Sequence, residues 1–537
     1  MDRRTFLHRG SAFAAMLAAG SLVACGDDDD GDASASASGT GDSAASGSTA
    51  EESTSATDQA DSPATSGGGR LRIAVAGTAD DTNNPFMSSS NAGFAALYHL
   101  YDSLAFLAGS EVELGLAESI EPNEDGSEWT IVLKDATFHD GSPVTSADVA
   151  YTLRTVADPA QAPTLAQGFG IMDLDNIATP DDKTVVVPLT APRGDFLDAE
   201  LAIWSAIVPD GSLGGADAVG SGPFKLEAFE AGQSTRMVRN DDYWDSLASL
   251  DELELVIIND ATARLNALKG GEVDFVWEIT PTAAVAEQGN DDIVIHRGGT
   301  ANSRALGFAA NTTLPPFDNP DAVRALKLVV DRQAFVDTVL LGFGEVGNDL
   351  VGKGLPGFAD DIQQVERNVD EARELFASAG ITELTMLTGE TTAGMVAAAE
   401  LLVQQLAEVG VTLTLEELPA DQYYTDFERL LSTPLQSAWY INRPADVHLT
   451  TFSGSAAFFN LTALRGDEYD GLLATAQAAV DRDERLAAVR QAQEYAFAND
   501  GMVIWGYQED VNASIPGLSG FTLSQSVPRF HEAVLES

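Results

Sequence analysis

The chain of 537 residues holds one cysteine, Cys25, and six histidines at positions 8, 99, 139, 296, 448 and 531. Transition-metal centres draw on His, Cys and carboxylate ligands at short spacings. Neither H-x-H, H-x-x-x-H nor H-E-x-x-H occurs, so no metal or other cofactor is expected. The stretch GFGEVG (342–347) has the spacing G-x-G-x-x-G. It follows a helical pattern where a phosphate-binding turn follows a strand, so it reads as a Gly-rich loop. There is no G-x-S-x-G nucleophile elbow, and carboxylate pairs single out nothing among 83 acidic residues. Sequons at Asn311, Asn460 and Asn512 are common by chance. A lone thiol makes no internal disulfide. What remains is the chemistry of holding and anchoring.

Cys25 lies in DRRTFLHRGSAFAAMLAAGSLVACGDDDD. Arg3-Arg4 followed by Phe6-Leu7 resembles the twin-arginine export signal, a receptor-read address. The mildly apolar run from Ser11 to Ala24 is too short to span a bilayer and suits a signal segment. Leu22-Val23-Ala24-Cys25 resembles a lipobox, which implies a lipidated thiol at Cys25 and a cleaved segment 1–25. Stable anchoring takes about two acyl chains, each CH₂ contributing ~0.8 kcal/mol. Residues 26–69 are Ser, Ala, Gly and Thr with ten acids and no base, a tether with nothing to bury. Its reach as a flexible chain is roughly 35–40 Å.

From Arg70 onward 72 acids face 26 bases, so the body carries a formal charge of −46. Such a surface repels phosphate backbones, and no nucleic-acid partner is expected. The acidity fits a saline exterior, where salt screens self-repulsion, and equally a compositional bias with ordinary solubility. Past residue 30 no run approaches the ~18 apolar residues of a membrane helix, so the body is not expected to cross a membrane.

Two distant regions repeat one plan. LELVII (253–258) reads as a buried strand, DATARLNALKGG as a helix capped by Asp260, and VDFVWEI (273–279) as a strand. ELTMLT (383–388), a helix near 392–409 stopped by Gly410, and VTLTLEEL repeat the order. Strand–helix–strand implies parallel strands, and two such units predict two α/β lobes with a cleft between them. Asp125-Gly126 reads as a hairpin turn, and Thr145 with Asp148 as a helix cap.

The segment LAESIEPNEDGSEWTIVLKDATFHDGSPVTSADVAYTLRTVADP (116–159) closely resembles family 5 extracellular solute-binding proteins, the oligopeptide, dipeptide and nickel receptors of ABC importers. GSGPFKLEAFEAGQSTRMVRNDDYW (220–244), ATARLNALKGGEVDFV (261–276) and FAANTTLPPFDNPDAVRALKLVVDRQAFV (308–336) agree in order. The resemblance implies a two-lobed periplasmic-binding-protein fold, class II-like, with an extra domain. Lobe I would comprise 70–100, 206–302 and 505–537, the extra domain 101–205, and lobe II 303–504, with connecting strands near 300–308 and 500–508.

SAWYINRPADVHLTTFSGSAAFFN (437–460) takes the place of the family's loop beside the cleft. The resemblance implies an aspartate there for a ligand's α-ammonium group. Aligning Pro444 puts Tyr440 at that position, whereas a slip of two makes Asp446 the nearby acid. Trp439, Tyr440, Asn442 and Arg443 are therefore ligand-binding candidates, with core packing the alternative for the two aromatics. Asn84 and Phe86, after the first strand, and Trp277 and Glu278, at the end of another, are further candidates, since strand-end loops suit ligand contact.

The expected function is a lipid-anchored, extracytoplasmic receptor, monomeric and without catalysis. It would deliver a peptide or similarly sized polar solute to an ABC permease and ATPase. A surface sensor or adhesin on the same fold, and a secreted hydrolase, are the rival readings.

Overall fold

The computed structural model describes residues 68–536, apart from 109, 110, 164, 216, 217 and 458. The expectations for Arg3, Arg4, Cys25 and the tether to residue 67 lie outside the described residues.

Strand Arg70–Val75 has Leu71, Ile73, Ala74 and Val75 buried, so both of its faces are covered. It lies in register and parallel with Glu252–Ile257 on one side and Phe275–Val276 on the other. Helix Ala261–Lys269 connects those two flanking strands, and the Asp260 carboxylate caps it by accepting from Ala263 N at 2.6 Å. The two strands are parallel as expected, but Arg70–Val75 sits between them, and the second is only two residues long. The full seven-stranded sheet runs, edge to edge, Val294–Arg297, Val511–Ser514, Phe275–Val276, Arg70–Val75, Glu252–Ile257, Ser234–Arg239, Phe224–Glu230.

The second unit pairs directly. Glu383–Thr388 and Thr412–Glu417 are parallel neighbours, joined by helix Met395–Glu408. That helix ends as Gly410 takes φ +82°, a left-handed turn that costs glycine nothing. Met395, Leu402 and Leu406 are buried. Each such side chain contributes about 1.5–3 kcal/mol relative to exposure. These strands extend a six-stranded sheet ordered Gly344–Val346, Met502–Glu509, Ser303–Ala310, Leu435–Ile441, Glu383–Thr388, Thr412–Glu417. Phe335 and Trp505 stack at 5.0 Å in its core.

A third, antiparallel sheet comprises Ala117–Pro122, Glu128–Leu133, Thr184–Pro188 and Ala178–Asp181. Gly126 at φ +72° makes the turn between its first two strands. Helix Ser146–Val156 packs on this sheet, and Asp148 accepts from Thr145 N at 2.8 Å.

The chain crosses between the two large sheets at 298–302 and at Asp510. These connectors bond to each other: Gly298 N donates to Asp510 O at 2.8 Å, and Asp510 N to Asn302 O at 3.0 Å. The second crossing lies later than expected. Met502–Glu509 pairs with Ser303–Ala310 out to Ser303↔Glu509, so residues 505–509 belong to the second sheet. The GFGEVG stretch forms the edge strand Gly344–Val346. A Cβ on Gly344 would stand 2.4 Å from Tyr507 O, so the glycine permits close pairing, and part of the expected loop is a strand. Among the described residues no helix is long and apolar enough to cross a membrane, and no cluster of ligating side chains could hold a metal ion.

Candidate functional site

Helix Asn91–Leu100 starts where Ser90 Oγ accepts from Gly93 N at 3.0 Å. Its small face, Ala92, Ala95 and Ala96, is buried against the first lobe. That leaves Asn91, Phe94 and Tyr98, spaced three and four apart, on one half-buried stripe. The stripe forms one wall of a cavity of about 200 Å³ that opens to solvent. Trp204 and Trp277 continue that wall. Trp204 is held from behind by Phe86, with ring centroids 5.4 Å apart.

The opposite wall belongs to the second lobe: Arg304 and Ile441 from its sheet, then Arg443 and Phe452. Arg443 lies just past strand Leu435–Ile441, and Phe452 ends helix Ala445–Phe452. The floor is the tip of a hairpin, Gln525-Ser526, between Thr522–Ser524 and Val527–Arg529. Both tip residues have positive φ, 49° and 69°, the primed-turn geometry that matches strand twist. Ser526 N donates to Asn302 Oδ1 at 3.1 Å, which ties the tip to the crossover.

The two arginines differ in their partners. Arg304 Nη1 lies 2.7 Å from Asp510 Oδ1 and 3.2 Å from Glu278 Oε1. The Asp510 contact is an ion pair without hydrogen-bond alignment. Burial pulls the Arg304 pKa down, but Asp510 and Glu278 more than offset it. Burial likewise pushes the Asp510 carboxyl up, against Arg304. This group is one cation between two acids.

Arg443 has no carboxylate within 4 Å among the described residues. Its guanidinium stands 5.0 Å from the Phe452 ring centre, and Nε donates a long bond of 3.4 Å to Ile441 O. Desolvation alone lowers its pKa, to about 10. A cation–π contact contributes up to about 2 kcal/mol, whereas holding an unpaired ion out of water costs several kcal/mol. The ring does not offset the burial. What remains exposed of Arg443 faces the cavity.

The sequence candidates fall in different places. Trp277 and Arg443 line the cavity, and Glu278 stands behind the wall on Arg304. Glu278 takes φ +69°, held by Asn512 Oδ1 accepting from its N–H and by Arg264 donating to its carbonyl. The other candidates pack or brace. Tyr440 is core, edge-on to His448 and Phe452 at 4.9 and 5.0 Å. Trp439 is buried and donates to Thr391 Oγ1 at 3.0 Å. The Asn442 amide donates to Thr300 O and Lys353 O and accepts from Gly352 N, which bolts three segments together. Asn84 Oδ1 accepts from Phe86 N in a turn, and Phe86 packs behind Trp204.

Asp446 points away from the cavity. It lies beside Arg485, Asp195 and Asp198, and burial followed by Asp195 pushes it up to about 6. The slipped register does not bring it to the cleft. Phe94, Tyr98, Trp204, Arg304, Phe452 and the hairpin tip were missed. Only Phe94 and Tyr98 left a signal, aromatics one turn apart on a helix after the first strand.

Residues 111–458 match the family of bacterial extracellular solute-binding proteins, family 5 (middle region). The chain belongs to this family. It is therefore an extracytoplasmic solute-binding protein, in a family of binding proteins and not of enzymes. It is 25% identical over 442 residues to heme-binding protein A of Haemophilus influenzae, covering 74% of this chain and 80% of that protein. It is 24% identical over 432 residues to the glutathione-binding protein GsiB of Pectobacterium atrosepticum, covering 76% and 82%. Among solved structures, the periplasmic binding protein DppA of Helicobacter pylori, in complex with the peptide STSA, superposes with a TM-score of 0.73. It is 22% identical, with 88% of this chain and 99% of that one covered. Family 5 receptors with this likeness share the two-lobed fold, and here the cavity lies between the lobes.

Proposed function

We propose that this family 5 protein is the membrane-tethered receptor of an ABC importer. It is exported through its twin-arginine segment, anchored by lipid on Cys25, and works as a monomer beside the permease and ATPase. Lobe I, lobe II and the extra domain follow the three sheets. Solute enters the cavity while the lobes are apart, and closure about the bonded connectors at 298–302 and Asp510 buries it. A ligand moves this equilibrium only by its preference for the closed state. The carrying observation is that one cavity takes a wall from helix Asn91–Leu100 and its neighbours, the opposite wall from the second lobe, and its floor from a hairpin tied to the crossover.

The relatives' ligands, named as heme, glutathione and a peptide, support a solute of that size range. The test is native mass spectrometry on protein isolated gently from its own membranes, with X-ray scattering before and after removal of bound solute. A small molecule should leave on denaturation, and its removal should expand the particle. A protein without bound solute, whose dimensions no solute mixture alters, would contradict the reading.

A further inference from the structure

We propose that the cleft is built for an amphipathic monoanion, a mainly apolar, partly aromatic body whose single carboxylate docks on Arg443. This rests on the receptor reading above and names the solute class of the same site.

Three observations carry it. The wall facing the second lobe is aromatic, with Phe94, Tyr98 and Trp277 from the first lobe joined by Trp204 at the end of the extra domain. The wall from the second lobe presents a guanidinium with no acid partner among the described residues, backed by the Phe452 ring. Its planar fork pairs a carboxylate through two parallel bonds, and low dielectric strengthens that pair. The other cationic group on the wall, Arg304, already lies between Asp510 and Glu278. Arg304 is already matched by acids, so a second anionic group on the solute finds no free cation and a doubly charged phosphate would go unbalanced.

A free α-ammonium finds no carboxylate on the cavity lining, which includes neither Asp510 nor Glu278. Both of those acids are engaged by Arg304, and Asp446 is turned toward Arg485. An ammonium in the cavity would meet Arg443 as a like charge. Unblocked short peptides are therefore poor solutes, and the same peptides with a blocked N-terminus and free C-terminus are better ones.

The two requirements lie on opposite walls. The apolar body is held by the first lobe and the carboxylate by the second, so only a molecule carrying both draws the walls together. An apolar fragment or a bare carboxylate occupies one wall and leaves the cleft open.

The probes are N-acetyl-Phe-Phe as the free acid, the same compound as its C-terminal amide, and unblocked Phe-Phe. They are titrated calorimetrically into the full chain and into R443M and R443K, and the melting midpoint of each protein is recorded without ligand. The wild type should bind the acetylated acid at least tenfold more tightly than the amide or the unblocked dipeptide. R443M should erase the acid–amide difference, and R443K should keep part of it. Without ligand, R443M should melt at or above the wild-type midpoint, because an unpaired buried cation has been removed. A merely structural arginine would instead lower that midpoint and leave the acid preference intact. Equal binding of acid and amide, tighter binding of the unblocked dipeptide, or a preference surviving in R443M would overturn the proposal. So would a solute co-isolated from the cell that lacks an acidic group, and that result would leave the receptor reading standing. Absence of any co-isolated solute, with no probe shifting the midpoint, would count against both.

Discussion

Arg485 donates to the Asp198 carboxylate at 2.8 Å, across 287 positions of sequence. The pair joins helix Arg482–Asn499 to the short helical turn Leu197–Leu201, just ahead of Trp204 in the cavity wall. Arg485 also donates to Gly194 O at 2.8 Å, and Gly194 N donates to Gln477 O at 2.7 Å. Arg193, Asp195, Glu200 and Asp446 complete the cluster. It fixes the back of the site to the helical part of the second lobe.

Arg485→Ala should lower stability by roughly 2–4 kcal/mol. That is less than the ~3–5 kcal/mol of a fully buried broken pair, because Asp198 keeps some solvent contact. Guanidinium unfolding followed by tryptophan fluorescence checks it. A loss below 1 kcal/mol would mean the contact is incidental.

The cluster also predicts a pH effect of defined sign. Burial, resisted by Arg193, pushes Glu200 up to about 7, and burial pushes Asp446 up to about 6. A carboxyl whose folded pKa is raised favours folding below its unfolded pKa, and that contribution is lost as pH rises through the folded value. Glu200→Gln removes the titration. The variant should melt a few degrees above wild type at pH 8, with the gap closing toward pH 5. Comparing the two proteins cancels the buried histidines His99 and His139, whose depressed values of about 4 act in the opposite direction. A constant gap across this range would show that Glu200 is not the titrating group.

Salt should stabilise the body. With 72 acids against 26 bases, many of the bases already paired with acids, most acids have only other acids for company. Raising NaCl from 0.05 to about 1 M shortens the screening length to ~3 Å. The melting midpoint should rise substantially, and a flat response would leave the acidity as compositional bias.

Cys25→Ser should release the protein from membranes with its melting behaviour unchanged. Fractionation of cells producing both forms reads this directly. Retention of the serine form in the membrane fraction would contradict the lipid anchor.

The elements were legible because their signals are local. Asp260, Gly410, Asp125-Gly126 and Thr145 with Asp148 each act within a few residues of themselves. The site was much less legible. Leu435–Ile441 is buried on both faces, apart from Ile441 at its end, so alternation along it gave no sign of which side chains meet the cleft. Tyr440 was therefore placed by a proline alignment and is in fact core. Trp204 and the Gln525-Ser526 tip reach the cavity only through tertiary packing. Asn442 looked like a polar ligand contact, but its three bonds join segments about 90 and 142 residues away. Arg443 was visible as a cation. That it lacks a partner was not, since 83 acids offered it many on paper.

Strand Arg70–Val75 has a consequence for how the chain is made. Its neighbour Glu252–Ile257 pairs Glu252 with Arg70, 182 positions later, while the second large sheet uses only residues between 303 and 509. At about 5–20 residues per second of synthesis, Leu71, Ile73 and Val75 wait roughly 10–35 s for a partner. The outermost neighbour pairing, Val294–Arg297 with Val511–Ser514, comes only after the second sheet is complete. The lobe that starts first thus finishes last. Its early apolar strand needs shelter throughout, and a ribosome stalled anywhere in 76–251 would leave on the nascent chain an open edge without its mate.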